Sequence, residues 1–334
     1  LHFANLEDNH LRRVDVPLDV TFDGQFRLLG HDALPTTLAA DTPLDVWTYW
    51  QDTVPGGPEY GVGMALKDEF GVTWNTPIPW PPPWHREPPA ANTWPADQYA
   101  AIAQRYDLWP GTPPGVYTLT LSVFEQTSAF TYQAQDAAGQ SLGTELTLGT
   151  IQVTPPRHQA RAGETRFNAD GNAVWGPLRL IGYDVDREMA APGALILLTF
   201  LWQADSAPQI DCSSHVQFLS ENGAIAAEFT LPPARADFPT TRWQAGNVWR
   251  GRHLVRLPAT LNSGRYRWTV SACPEIETTT PPSLLAFLDV EAPQRLWDAP
   301  DLDITTHVQL GGSTTLLGAL GALDTLRPGD TLSL

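Results

Sequence analysis

The sequence predicts an all-β chain, two tandem immunoglobulin-like or jelly-roll-like β-sandwich domains followed by the first strands of a third repeat. Three observations carry that expectation. Prolines fall in clusters too frequent for long helices, apolar residues come in short alternating or continuous runs, and the whole pattern recurs along the chain.

Proline comes first because it both removes a backbone donor and clashes with the preceding helical turn. The 334 residues contain 31 prolines, grouped at Pro81-Pro82-Pro83, Pro113-Pro114, Pro155-Pro156 and Pro281-Pro282. Between the clusters lie runs such as Leu44-Asp45-Val46-Trp47-Thr48-Tyr49-Trp50 and the segment from Ala194 to Trp202, which read as sandwich strands. Further strands are expected around 61–67, 115–124 and 146–153, and again around 214–219, 252–257, 264–272 and 284–290. The segment from Ala100 to Gln104 is helical by propensity, but its counterpart Arg250 to Leu254 is not, so it is expected to be extended. Asp23-Gly24, Pro192-Gly193 and Asn222-Gly223 supply turns, because glycine tolerates positive φ.

The repeat fixes the domain organisation. Phe26-Arg27-Leu28-Leu29-Gly30-His31-Asp32 recurs as Leu178-Arg179-Leu180-Ile181-Gly182-Tyr183-Asp184, 152 residues on, and Trp50 falls on Trp202 in the same register. After a small length difference the spacing becomes 149, matching Trp94 to Trp243 and Gly115-Val116-Tyr117 to Gly264-Arg265-Tyr266. A third copy opens at Leu316-Leu317-Gly318, and Pro328-Gly329 follows Gly318 at the spacing that separates Gly182 from Pro192-Gly193. The expected division is repeat 1 over 1–153 with a long Trp/Pro-rich loop at 75–110, a linker over 154–166, repeat 2 over 167–293, and a linker with the truncated start of repeat 3 over 294–334. Two strands cannot bury a sheet face alone, so residues 307–334 are expected to associate through a strand edge, and the natural protein is expected to continue.

Composition narrows the function classes. The formal net charge is −17, Lys67 is the only lysine, and the arginines are scattered, which argues against nucleic acid as a partner. No apolar run is long enough for a membrane-spanning helix. The first residue is Leu1, which is read as a mature fragment or an excised piece. Histidines and cysteines lack metal-ligand spacing, so no metal and no cofactor is expected. Asp184-Val185-Asp186 and Asp301-Leu302-Asp303 read as solvated turn acids rather than a calcium shell.

Three groups of residues are candidates for chemistry. Cys212 and Cys273, the only cysteines, fall near strand positions that a sandwich brings together and read as a disulfide, with two buried thiols as the alternative. Tyr60 and Phe124 occupy the equivalent positions of repeat 1, an aromatic pair suited to the same core contact. Gly139-Gln140-Ser141-Leu142-Gly143 has the form of a hydrolase nucleophile elbow but lacks its strand–turn–helix context, and reads as a polar hairpin. Trp74, Trp80 and Trp84, with His85 beside them, belong to the long loop and are the ligand-binding candidates, because flat indole faces stack on sugar rings. The alternative is that these rings pack the proline-rich loop against its own sheet. Trp50 and Trp94, each matched in repeat 2, read as core.

The combination of Leu180-Ile181-Gly182-Tyr183-Asp184, Pro192-Gly193 before a strand ending in Trp202, Phe238-Pro239-Thr240-Thr241-Arg242-Trp243 and Ser263-Gly264-Arg265-Tyr266 resembles a known arrangement. It is similar to the tandem sandwich repeats appended to large bacterial membrane glycosyltransferase-like proteins of mannosyltransferase type. The resemblance implies an extracytoplasmic or cell-surface location within a membrane-anchored protein, with sugar transfer carried by a separate spanning region. The chain departs from that pattern at Asn247 and Gly251, where acidic residues are expected, and throughout 75–110. The resulting expectation is a non-catalytic accessory module that positions or binds cell-surface glycan or another envelope component. A structural spacer or protein-interaction module is the alternative, and a glycoside hydrolase the third reading, which requires a pocket with paired carboxylates.

Overall fold

The structure is a computed structural model that describes residues 3–5, 14–76, 91–96, 98–128, 130–160, 169–170, 172–276, 279–293, 301–310 and 314–319. Leu1–Glu291 form one compact unit and Ala292–Leu334 a second. The chain is all-β, two tandem sandwiches followed by a hairpin.

Repeat 1 holds β1 (Phe3–Asn5), β2 (Val16–Phe22), β3 (Phe26–His31), β4 (Thr37–Ala39), β5 (Leu44–Asp52), β6 (Tyr60–Lys67), β7 (Gln98–Tyr106), β8 (Gly115–Glu125), β9 (Ala134–Asp136), β10 (Ser141–Gly143) and β11 (Leu146–Thr154). One sheet runs β1-β7-β5-β3-β2-β9-β10 and the other β4-β11-β8-β6. Repeat 2 holds β12 (Ala169–Asp170), β13 (Val174–Trp175), β14 (Leu178–Val185), β15 (Met189–Ala190), β16 (Leu195–Ala204), β17 (Ser214–Ser220), β18 (Ile225–Leu231), β19 (Val248–Arg256), β20 (Gly264–Ala272) and β21 (Ser283–Val290). Its sheets run β12-β14-β16-β19, with β13 also on β14, and β15-β21-β20-β17-β18.

The repeat seen in the sequence is a repeat of pairing. Trp50 faces Ala100 across β5 and β7, and Trp202 faces Trp249 across β16 and β19, which reproduces the spacings of 152 and 149 residues. In both copies a short strand pairs parallel at one sheet edge, β4 on β11 and β15 on β21. The expected extended conformation of 100–104 is found within β7.

Alternation explains why the sheets close face to face. Along β5, Leu44 and Val46 are buried while Asp45 between them is exposed, and after the half-buried Trp47 the run is buried from Thr48 through Trp50. One apolar core in repeat 1 joins Phe22, Leu28 and Trp50 of the first sheet to Leu66, Tyr117 and Val123 of the second. Repeat 2 does the same with Trp175, Trp202, Phe218, Trp249 and Trp268. Asp23 and Gly24 both have positive φ, 57° and 67°, within the three-residue turn that joins Phe22 to its partner Phe26.

Candidate functional site

Of the four ligand-binding candidates the structure describes Trp74. Trp80, Trp84 and His85 lie outside the described residues. Trp74 lies in the core of repeat 1, fully buried, edge-on to Tyr117 at 5.8 Å, with its indole N–H donated to Asp68 at 2.9 Å. Its faces are therefore packed rather than offered to a sugar. The other Asp68 oxygen accepts from the Phe70 and Val72 amides, so the turn after β6 folds back and buries the ring that follows it. Trp50, Trp94, Trp202 and Trp243 are core residues, as the matching of the repeats requires.

Cys212 and Cys273 are joined in a disulfide with their Cα atoms 4.4 Å apart. Tyr60 stacks on Phe26 at 4.5 Å and lies 5.3 Å from Tyr132, while Phe124 lies over Gly61. The aromatic pair in repeat 1 thus fills the corresponding region through separate neighbours. Gly139 to Gly143 belongs to the β9–β10 hairpin, where the Asp136 carboxylate accepts from the Ala138 and Gln140 amides. Ser141 is exposed there on a polar turn.

What the fold does assemble is an arginine-rich joint between the two sandwiches. β19 alternates, with Trp249 facing its own core while Arg250 and Arg252, two residues apart, share the opposite face. The Arg250 amide donates to the Gly111 carbonyl at 2.7 Å and its Nε to the Pro110 carbonyl at 3.0 Å. Arg252 donates to the Thr73 carbonyl. The Trp109 ring receives both guanidinium groups, Arg250 at 5.2 Å and Arg252 at 5.9 Å from its centroid. Beside them Arg235, its side chain 6% exposed, bonds Asp237 of its own repeat at 2.8 Å and Glu69 of repeat 1 at 2.9 Å. It also lies 4.8 Å over the Tyr117 ring.

No family model matches the chain, and no curated protein matches it. Among solved structures, one titled BspA_C_WT matches at 8% identity over 79% of this chain and 99% of that chain, with a TM-score of 0.19. That score is too low to establish a common architecture.

The electrostatics of the joint follow from burial and partners. For Arg235 burial opposes the charge, but the Asp237 hydrogen bond, then Tyr117 and the Asp237 and Glu69 charges, outweigh it and raise the pKa. Asp237 is correspondingly lowered, first by its hydrogen bond from Arg235. Arg250 is lowered to about 9, by burial first and then by Arg252 beside it, so it is still a cation at neutral pH. Two cations side by side are tolerated because backbone carbonyls and the Trp109 face meet them.

Sequence reasoning passed over this joint, although one signal was available. In the 149-residue register Arg250 and Arg252 replace Ala101 and Ala103 of β7, so arginine appears on one strand face of repeat 2 and alanine on the same face of repeat 1. Among the described residues no group of three or more His, Cys, Asp or Glu is placed to hold a metal ion. Among them, too, no helix is long and apolar enough to cross a membrane.

Proposed function

We propose that the two sandwiches of this chain form a non-catalytic, extracytoplasmic spacer in which they are held at a fixed mutual orientation. The observation that carries the reading is the joint. Arg235, Arg250 and Arg252 of repeat 2 reach Glu69, Thr73, Trp109 and the Pro110 and Gly111 carbonyls of repeat 1. Ordinary domain contacts within a chain permit relative motion, whereas buried cations held by backbone carbonyls lose those bonds if the contact slides. The Cys212–Cys273 disulfide supports an oxidising compartment. The resemblance of the repeats to those of membrane glycosyltransferase-like proteins supports placement at the cell envelope.

Spin labels, one on an exposed strand of each sandwich, test the fixed orientation directly. A single narrow distance distribution is expected for the wild type and a broadened one for Arg235→Ala with Arg250→Ala. A broad wild-type distribution would overturn the reading.

Glycan recognition is the finer version of the same proposal. It rests on Trp80, Trp84 and His85 in the 75–110 loop, since Trp74 and Trp94 are committed to the core. Binding on a glycan array that is lost in Trp80→Ala with Trp84→Ala supports it. An array without binding leaves the chain as a spacer.

A further inference from the structure

The strands β8 and β11 of repeat 1 and β20 and β21 of repeat 2 pair in one scheme. Val116 lies opposite Gln152 and Thr118 opposite Thr150 in the first copy, while Arg265 lies opposite Asp289 and Arg267 opposite Phe287 in the second. The residues between them, Tyr117 and Ile151 or Tyr266 and Leu288, point into the cores, so all four positions stand on the outer face of the sheet. The first copy fills them with uncharged residues, the second with two arginines, an aspartate and a phenylalanine. One pairing scheme is built with either set, so neither sheet nor core requires the charged one. The joint does not require it either. With repeat 2 docked against repeat 1, Val116 is still 52% exposed, and Thr150 and Gln152 are exposed as well.

Arg265, Arg267 and Phe287, with Glu221 and Tyr266, line a cleft of about 380 Å³, within the range of about 300–1,000 Å³ found for small-molecule sites. The Arg265 guanidinium lies 4.5 Å over the exposed Phe287 ring, which orients its plane without using its N–H groups. Other surface arginines bond a carboxylate: Arg27 to Asp19, Arg105 to Asp45, Arg179 to Asp205 and Arg187 to Asp186. Among the described residues the Arg265 and Arg267 side chains form no hydrogen bond and no ion pair, although Glu221 shares the cleft and Asp289 lies across from Arg265.

We propose that this cleft binds a carboxylate-bearing sugar of an acidic glycan, with Arg265 and Arg267 taking the carboxylate and Glu221 and Asp289 accepting hydrogen bonds from ring hydroxyls. The mixture of charges selects the ligand. Two guanidinium groups at alternate positions of one strand, roughly 7 Å apart along it, suit an oxyanion. The flanking carboxylates repel a second negative charge, as on phosphate, but accept hydroxyl protons, of which a sugar presents several on one small ring. A hydroxylated monocarboxylate meets both requirements. The position of Glu221 already serves an outside donor in the other copy: its counterpart 152 residues earlier, Glu69, accepts from Arg235 of the neighbouring sandwich at 2.9 Å. Access to a cell-surface glycan rests on the extracytoplasmic reading above; the cleft itself is separate from the 75–110 loop and uses none of its tryptophans.

Isothermal titration of the purified chain with galacturonate, glucuronate and mannuronate oligomers tests the site, with a neutral glucose oligomer, inorganic phosphate and a poly-glutamate peptide as controls. At least one uronate is expected to bind, more weakly as salt is raised. Arg265→Val with Arg267→Thr, which installs the residues of repeat 1, is expected to weaken that binding about tenfold or more with the melting temperature unchanged. Glu221→Ala should weaken it too; tighter binding in that variant would mark a plain anion patch and overturn the proposal. Trp80→Ala with Trp84→Ala should bind as the wild type does, and a loss there would move the site to the loop and likewise overturn it. The proposal also fails if no uronate binds in the millimolar range, if binding survives the double arginine variant, or if the glucose oligomer, phosphate or poly-glutamate binds equally well.

Discussion

At Gly111 the chain turns with φ of 82°, and a Cβ there would lie 3.2 Å from the Arg250 amide nitrogen and 3.3 Å from Leu201 Cδ1. Valine at this position meets both a forbidden backbone region and the facing repeat, a cost of about 1–3 kcal/mol. Gly111→Val is therefore expected to open the joint, read as lower stability and a broadened inter-sandwich distance, with both cores intact by near-ultraviolet circular dichroism. His253 shows how one side chain couples the same strand to pH. Burial pulls its pKa from 6.5 down to about 4. The unfolded chain binds the proton first, so stability falls as pH drops from 6.5 towards 4. His253→Gln should flatten that part of the stability profile measured by urea denaturation; an unchanged slope would show that the histidine is not responsible. Neither residue was singled out by the sequence, because a glycine next to proline looks like any turn until the facing backbone is known.

Strands were the most legible level. Short alternating runs bounded by proline and glycine leave little choice but a half-buried strand, which is why β6, β8, β11, β20 and β21 fall where the pattern puts them. Their pairing was not, since a repeat says only that the two copies pair alike and leaves open which strands meet. Nor was the role of Trp74. An indole beside a proline-rich stretch satisfies the patterns of a sugar platform and of a core ring alike, and only the return of the 68–76 segment onto β6, through the Trp74 amide to the Leu66 carbonyl at 2.7 Å, decides for the core. Cys212 and Cys273 flank β17 and β20, which pair directly, and the bond closes a span of 61 residues. Cys212→Ala with Cys273→Ser is expected to cost about 2–4 kcal/mol in chemical denaturation, mainly by freeing the unfolded chain. A loss well below 1 kcal/mol would mean that packing around the pair already confines it.

For the molecule as a whole the joint governs whether the two sandwiches behave as one. Asp237 is held below its usual 3.8 by the Arg235 hydrogen bond. Its contribution is therefore present above pH 3.8 and disappears as pH falls through the lower folded-state value. Calorimetry is expected to show the first unit unfolding in one coupled transition at neutral pH, Asp237→Asn to lower its midpoint without splitting it, and Arg235→Ala with Arg250→Ala to separate it into two. Two separate transitions in the wild type at neutral pH would show that the contact does not couple the folds.

Taken alone, the sequence determined the β class, the two repeats, the cysteine positions and the opening of a third copy, because each of these follows from periodicity and from what proline and glycine allow a backbone to do. The tertiary structure decided which aromatic rings are core, that Arg235, Arg250 and Arg252 gather against repeat 1, and that the hairpin at Ile304 repeats the bulge and register of the one at Val16. Those features depend on which backbones approach one another, and contacts between residues more than a hundred positions apart leave no local pattern to read.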